Sequence, residues 1–450
     1  MKLELRNSLL LNITFLLIFT TPFLFSCNRE TKETFPDGTE ISEWFFDTAK
    51  IDVSELGEMY SIADHGAAAD DSTINTEAIQ QLIDKVSADG GGVIFIPEGT
   101  FKSGALFFKP GTHLHVQEGG MLKGSDDIFD YPIMESRMEG QNLDYFPALV
   151  NAYNVPNFTI TGKGTIDGNG KKFWDAFWQR RKENPQCTNL EVSRPRLVFI
   201  WGCDNVQIQD VRLHNSGFWT THLYQCNFAK ILDVHIFAPR TPIPAPSSDA
   251  IDLDVCFNVL IKGCYMSVND DAIALKGGKG PWADEDPDNG PNANILIEDN
   301  SFGFCHAVLT CGSESIHNRN VLLRNCEVED VARLIHLKMR PDTPQKYEYI
   351  TLENIEGSGN NCIYIRPWTQ FFDLQGRETP PLSTAENIVF RNITMDVKSF
   401  TNIGITEHDR LKNFTFENME ITAEDSRFDA TAFEGLTLNN VTVNGDLLEN

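Results

Sequence analysis

The sequence predicts an all-β, single-domain right-handed parallel β-helix with an N-terminal capping helix. Three observations predict it. Beyond Val150 a phrase of the type Asn–apolar–x–apolar–x–(Asp/Asn) keeps returning. It appears as Asn205-Val206-Gln207-Ile208-Gln209-Asp210, again at Asn258, Asn294, Asn320, Asn387 and Asn413, and more loosely at Pro156, Phe228, Tyr349 and Gly435. From Asn205 onward the intervals run from 22 to 38 residues, as expected for a coil of fixed size carrying loops of variable length. Finally, Asp249-Ala250-Ile251 and Asp271-Ala272-Ile273 lie 22 residues apart, and His306-Ala307-Val308 repeats them with His in the acid's place. Alternating apolar residues mark short strands with one face inside. The recurrent Asn suits a stacked turn, because it tolerates left-handed geometry and bonds its neighbours. Leucine-rich repeats are the competing solenoid, but their Leu-x-x-Leu-x-Leu frame is missing.

At 450 residues the chain could hold two or three ordinary domains, yet one long repeat fold is equally permitted. A formal net charge of −27 argues against a nucleic-acid partner, since phosphate contacts need clustered Lys and Arg. An acidic sugar stays open, provided the site itself is locally basic.

The N-terminus reads as an export signal over residues 1–26. Lys2 and Arg6 precede an apolar run from Leu9 to Phe25 that ends in Leu24-Phe25-Ser26-Cys27. That ending resembles a bacterial lipoprotein signal, with Cys27 as the lipid-bearing first residue; an ordinary cleaved signal with an incidental Cys is the plainer reading. Residues 27–58 follow as a linker and N-terminal extension, polar over Asn28 to Thr39, and the β-helix domain takes 59–450. Nine cysteines then remain (187, 203, 226, 256, 264, 305, 311, 326 and 362), with no CxxC pair to suggest zinc. Buried free thiols are the favoured reading, although an exported protein could form one or two disulfides.

From Asn75 to Ala88 the spacing is helical, with Ala78, Ile79, Leu82, Ile83 and Val86 on one face and Gly90-Gly91-Gly92 as the stop. Short strands follow at Val93–Pro97, Ala105–Phe108 and Leu114–Gln117. A helix at the start of a stacked-coil protein covers the otherwise open first coil.

The chemistry-bearing stretch is Ser247 to Lys279. Stacked coils about 4.8 Å apart would set Asp249, Asp271 and His306 in a ladder, with Asp270 beside it. Three carboxylates and a histidine gathered in one place suit general acid–base chemistry. Calcium ligation or solvated turn acids are the competing readings. Adjacent strand residues face opposite ways, so Asp270 and Asp271 can share a site only at a strand end or bend.

Several phrases together resemble the polygalacturonase family, glycoside hydrolase family 28. They are Tyr60-Ser61-Ile62-Ala63-Asp64-His65-Gly66-Ala67, Gly90 to Pro97, Asn215-Ser216-Gly217-Phe218-Trp219, Ser248-Asp249-Ala250-Ile251-Asp252, Asn269-Asp270-Asp271 and His306. The resemblance covers nearly everything from Tyr60 onward. It implies a right-handed β-helix that hydrolyses α-linked galacturonic acid in pectin with inversion, needing no cofactor or metal. The family's Asn-Thr-Asp motif becomes Ser247-Ser248-Asp249. By resemblance Asp270 is the general acid, while Asp249 and Asp271 hold and deprotonate the attacking water. Inverting hydrolysis ordinarily separates acid and base carboxyls by roughly 6.5–9.5 Å. His306 takes the place of the histidine in the family's Gly-His-Gly motif, here Cys305-His306-Ala307; a lone His is usually structural, but the ladder favours function.

The family's Arg-Ile-Lys motif, which binds the galacturonate carboxylate, falls at His336-Leu337-Lys338. His336, Lys338 and Arg340 share strand parity and could point outward together, with Arg340 standing in for the missing Arg; a solvated basic strand edge is the bland alternative. Two loops are expected to shape the site. Gly277 to Asn292 follows the catalytic strand beside Lys276 and Lys279, and Tyr364 to Phe372 carries Arg366 and Trp368, a combination suited to a sugar face and its acid. Either loop could instead close the coil as a hydrophobic patch. Long walls beside a cleft favour exo action. The expected protein is a monomeric, exo-acting galacturonosidase on pectic oligomers, lipid-anchored to a bacterial envelope. Alternatives are the same chemistry on rhamnogalacturonan or a branched pectin, a calcium-dependent pectate lyase, and a non-catalytic glycan-binding β-helix.

Overall fold

The computed structural model describes residues 32–449, so Cys27 and the export signal lie outside the described residues. The described chain winds into a parallel β-helix, with strands of one large sheet pairing in register from coil to coil. Three apolar columns run up its interior. Ile251, Ile273, Leu309, Ile335 and Ile363 stack on one face. Val259, Ile295, Val321, Ile350 and Ile388 stack on the second, and Leu213, Ile236, Met266 and Phe302 on the third. All are buried. Each such side chain contributes about 1.5–3 kcal/mol, so like-on-like stacking is the main source of stability.

The turns are built from the predicted asparagines. Asn294 donates to Asn258 (3.1 Å) and Asn320 to Asn294 (3.2 Å), each backbone at a positive φ between 52° and 58°. The residue that ends each phrase makes a second ladder, through Asn325, Asn354, Asn392, Asn418 and Asn440. Phe228 (57°) and Tyr349 (54°) hold the same left-handed geometry at the looser copies, where the stacked neighbours offset the steric cost.

The N-terminal segment is docked from Thr34 onward rather than forming the polar linker expected up to Thr39. Phe35, Ile41 and Phe45, the last on the short helix α1 (Glu43–Phe46), cover Leu232, Leu260, Leu296 and Leu322 on the outside of the coil. Lys230 seals the edge, donating to the Asp47 carbonyl and lying 4.8 Å from the Trp44 ring. Phe45→Ala is expected to loosen this segment, at a cost of about 3–5 kcal/mol locally. Limited proteolysis should then cut before Met59 far faster than in the wild type, while the β-helix melts nearly unchanged.

Helix α2 (Thr76–Ala88) buries Ile79, Leu82, Ile83 and Val86 on the first coil, as predicted. Asn75 does not cap it; its side chain ties Ala68 to Lys102 instead. Two excursions were absent from the sequence reading. One is an antiparallel hairpin, Met134–Met138 and Gln141–Tyr145, closed by Glu139 (φ 46°) and Gly140 (φ 71°), the left-handed pair a two-residue hairpin turn needs. The other is helix α3 (Lys171–Glu183). The nine cysteines from Cys187 onward are all free and buried.

Candidate active site

The sheet carrying Asp249 and Asp271 forms the floor of a cleft of about 610 Å³. Asp249 precedes the strand Ile251–Asp254, and Asp271 precedes Ile273–Leu275 one coil later. Asp270 and Asp271 lie in the bend between Tyr265–Ser267 and that strand, so adjacent side chains share one site. The bend is held in place by several bonds. Asn269 donates to the Ala238 and Pro239 carbonyls. Ser248, where the family has Thr, accepts the Asn269 N–H at 3.0 Å. The Asp271 N–H reaches Asp249 Oδ1 (3.0 Å) and Asp270 Oδ1 (3.1 Å). One oxygen from each of the three carboxylates lies within 4.8 Å of the others.

The ladder is shifted by one residue from expectation. His306 is in register with Asp270, not Asp271, and its N–H donates to the Asp270 carbonyl. The coil-to-coil register is 36 residues here against 22 below, while Asp271 and His306 are 35 apart, so the histidine falls one place back, opposite Asp270. Its Nδ1 consequently sits 3.3 Å from Asp270 Oδ1, beside the group assigned as acid.

Two lysines neutralise the cluster from within. Lys338 Nζ is 2.7 Å from Asp271 Oδ2, and the Trp368 ring lies 4.7 Å from the same nitrogen. Lys276 Nζ faces Glu314 (3.4 Å), Asp252 (3.6 Å) and Asp249 (3.8 Å) over the Trp219 ring. These internal cations offset part of the negative charge gathered in the cluster. Lys276 is therefore an organiser of the acids rather than a free grip for substrate.

The charges are set by burial and neighbours. Burial, and then Asp270, push the Asp249 carboxyl well above the ordinary range. Burial pushes Asp252 up to about 8. Burial also works against the Asp270 carboxylate, but His306 and then Lys338 outweigh it and hold that carboxyl below the usual range. The His306 imidazole is desolvated too, yet Asp270 raises it above its ordinary value. Asp270 and His306 thus share a proton that rests on the imidazole in the free protein.

The basic stripe is not as expected. Of the three residues only Lys338 lines the cleft. Arg340 is buried, with Nε and Nη2 each 2.7 Å from the two oxygens of Asp342. Its guanidinium also reaches the Gln370 and Phe371 carbonyls, so it anchors the loop that brings Trp368 and Gln370 to the cleft. His336 is 2 % exposed, and burial followed by Lys338 holds it well below the ordinary imidazole value, so it is neutral. Its ring is boxed by Tyr364 and Trp368. Arg366 lies outside the cleft, bonded to Asn402 at 2.7 Å in a separate hollow near Arg427. The loop from Gly277 to Asn292 acts at second hand: Asn289 accepts from Arg137 and Asp288 from Asn142, bracing the hairpin that places Glu139 at the cleft.

A model of the glycosyl hydrolases family 28 matches residues 96–442. The chain belongs to that family. An exo-poly-alpha-D-galacturonosidase of Dickeya chrysanthemi is 26 % identical over 324 residues, 63 % of this chain and 52 % of its own length. A probable polygalacturonase of Vitis vinifera is 28 % identical over 227 residues, 48 % of this chain and 44 % of its own. The matches thus span about half of these curated relatives. The fold is that of the exopolygalacturonase of Thermotoga maritima, with a TM-score of 0.71 at 24 % identity, covering 88 % of this chain and 96 % of that one. This family resemblance had supplied the acids, the histidine and Lys338. It did not supply Glu139, Trp178, Arg181, Arg240 or Glu314, which also line the cleft.

One oxygen from each carboxylate lies within 4.8 Å of the others, a closer gathering than the roughly 6.5–9.5 Å that ordinarily separates acid and base carboxyls in inverting enzymes. Two contacts nevertheless oppose a covalent nucleophile. Asp271 Oδ2 is engaged by Lys338, and Asp249 Oδ1 by the Asp271 N–H. Both carboxylates are thereby held back from a sugar carbon, while Asp271 Oδ1 is buried and has no hydrogen-bond partner among the described residues.

Proposed function

We propose that this family 28 protein is an exo-acting, inverting galacturonosidase that hydrolyses α-linked galacturonic acid in pectic chains. The observation that carries the reading is the gathering of Asp249, Asp270 and Asp271 in one cleft, with His306 on Asp270 and Lys338 on Asp271. Asp270 faces the glycosidic oxygen. A galacturonate carboxylate entering beside it adds negative charge, which draws the shared proton from His306 onto Asp270 for delivery to the leaving oxygen. Asp271, its free oxygen turned to the attacking water, takes that water's proton, while Asp249 fixes the water's position. The exo-acting relatives from Dickeya and Thermotoga and the walled cleft support action at a chain end.

The test is product analysis on saturated oligogalacturonides of defined length, with and without a chelator. Saturated galacturonic acid released one residue at a time, at a rate EDTA leaves unchanged, is the expected result. Unsaturated products or full loss on chelation would move the protein to lyase chemistry, and internal cleavage would overturn the exo assignment. We also propose export and lipid attachment at Cys27, which labelled fatty acid should mark in the wild type and not in Cys27→Ser.

The shared proton makes a pH signature. Activity needs one proton on the Asp270–His306 pair, and in the wild type that proton is lost only above the ordinary imidazole value of about 6.5. In His306→Gln the proton must sit on Asp270 alone, so the alkaline limb of kcat/KM should move to lower pH. A limb that stays in place would remove His306 from the proton inventory.

A further inference from the structure

The cleft continues. Beyond the catalytic carboxylates it runs into a groove of about 710 Å³ between helix α3 and the proline-rich turn Pro242 to Pro244, and the two spaces share Trp178, Arg181 and Pro244. Helix α3 is seated by Phe173, Trp174 and Phe177, which are buried, leaving Trp178, Arg181 and Lys182 on the groove side. Trp178 donates from Nε1 to the Pro244 carbonyl at 2.7 Å, which fixes the indole and the turn together. Arg181 lies over the Phe177 ring at 5.2 Å and donates to the Pro185 carbonyl. Among the described residues neither Arg181 nor Lys182 makes an ion pair with a carboxylate; Asp175, the acid of this groove, is paired with Lys171. At the other wall Lys276 is engaged by Glu314 and Asp249, and Lys338 by Asp271.

We infer that this groove is a second-residue subsite: it takes a further uronate of the bound chain, with Arg181 reading the carboxylate and Trp178 supporting the sugar ring. The reading rests on the proposed galacturonide hydrolysis. An acidic protein with net charge −27 repels a polyanion over most of its surface, so unpaired cations beside the cleft are where that chain can leave it. A planar guanidinium held over an aromatic ring is pre-oriented for a forked grip on carboxylate. An indole pinned through its N–H keeps a fixed apolar face for a sugar. On the opposite side the loop anchored by Arg340 walls the cleft with Trp368 and Gln370. The cleft then holds the terminal residue, and the groove carries the rest of the chain.

The test is chain-length dependence. kcat/KM is measured on di-, tri- and tetragalacturonide for the wild type, Arg181→Ala and Arg181→Lys, with melting temperatures as a folding control. The wild type should gain with length. Arg181→Ala should lose about tenfold of that gain, the worth of one charge-assisted hydrogen bond, mainly through KM, and Arg181→Lys should recover part of it. A wild type indifferent to length, or an Arg181→Ala profile parallel to the wild type, overturns the subsite while leaving galacturonide hydrolysis standing. A protein that hydrolyses no galacturonide overturns both.

Discussion

Asp270→Asn is expected to lower kcat by about a thousandfold, with KM and the melting temperature close to wild type. The amide keeps the carboxyl's shape but cannot deliver a proton, and general acid catalysis is worth about 10²–10⁴. The carbonyl of residue 270 keeps its bond from the His306 N–H, and an amide oxygen can still accept the Asp271 N–H as Oδ1 does now, so the bend should persist. Steady-state kinetics on trigalacturonide and calorimetric binding to the same sugar separate the two effects. A kcat within tenfold of wild type would take the acid's role from Asp270.

Lys338→Ala should be nearly as damaging for a different reason. Its Nζ is the counter-charge of a buried carboxylate, 2.7 Å from Asp271 and surrounded by two further acids. Removing one partner of a buried pair costs about 3–5 kcal/mol, and each 1.36 kcal/mol in the barrier is a factor of about ten. A fall in kcat/KM of at least about a hundredfold is expected, with KM raised as well as kcat lowered, since Lys338 also lines the cleft. Lys338→Arg should keep part of the activity. A variant within threefold of wild type on every acidic oligomer would place the carboxylate grip elsewhere, with Arg181 next in line.

Much of the coil was legible because stacking imposes one rule on every turn. Asn258, Asn294 and Asn320 could be read as a ladder since each coil needs a left-handed residue at the same corner. The acids were legible through the 22-residue repeat and the family motifs, and the bend at Asp270-Asp271 through strand parity. His306 was set one place off because register depends on loop length, which a repeat search does not weigh. Arg340 and Arg366 were misplaced because parity says which way a side chain starts, not what it meets; Asp342 and Asn402 claim them. The docked N-terminal segment had a signal that went unused. Val259-Leu260-Ile261, Ile295-Leu296-Ile297 and Val321-Leu322-Leu323 break the alternation, leaving an outward leucine that only a covering segment explains. Helix α3 had one too, in Phe173, Trp174 and Phe177.

The central claim is that the three carboxylates hydrolyse an α-galacturonoside through a held water, and the anomer first released tests it most directly. Digalacturonide is mixed with enzyme inside an NMR tube, and the anomeric protons are followed before mutarotation. The β-anomer of galacturonic acid appearing first, and relaxing to the mixture afterwards, is the predicted result. The α-anomer appearing first would mean that Asp249 or Asp271 bonds to the sugar despite their contacts to the Asp271 N–H and Lys338, and would contradict the account.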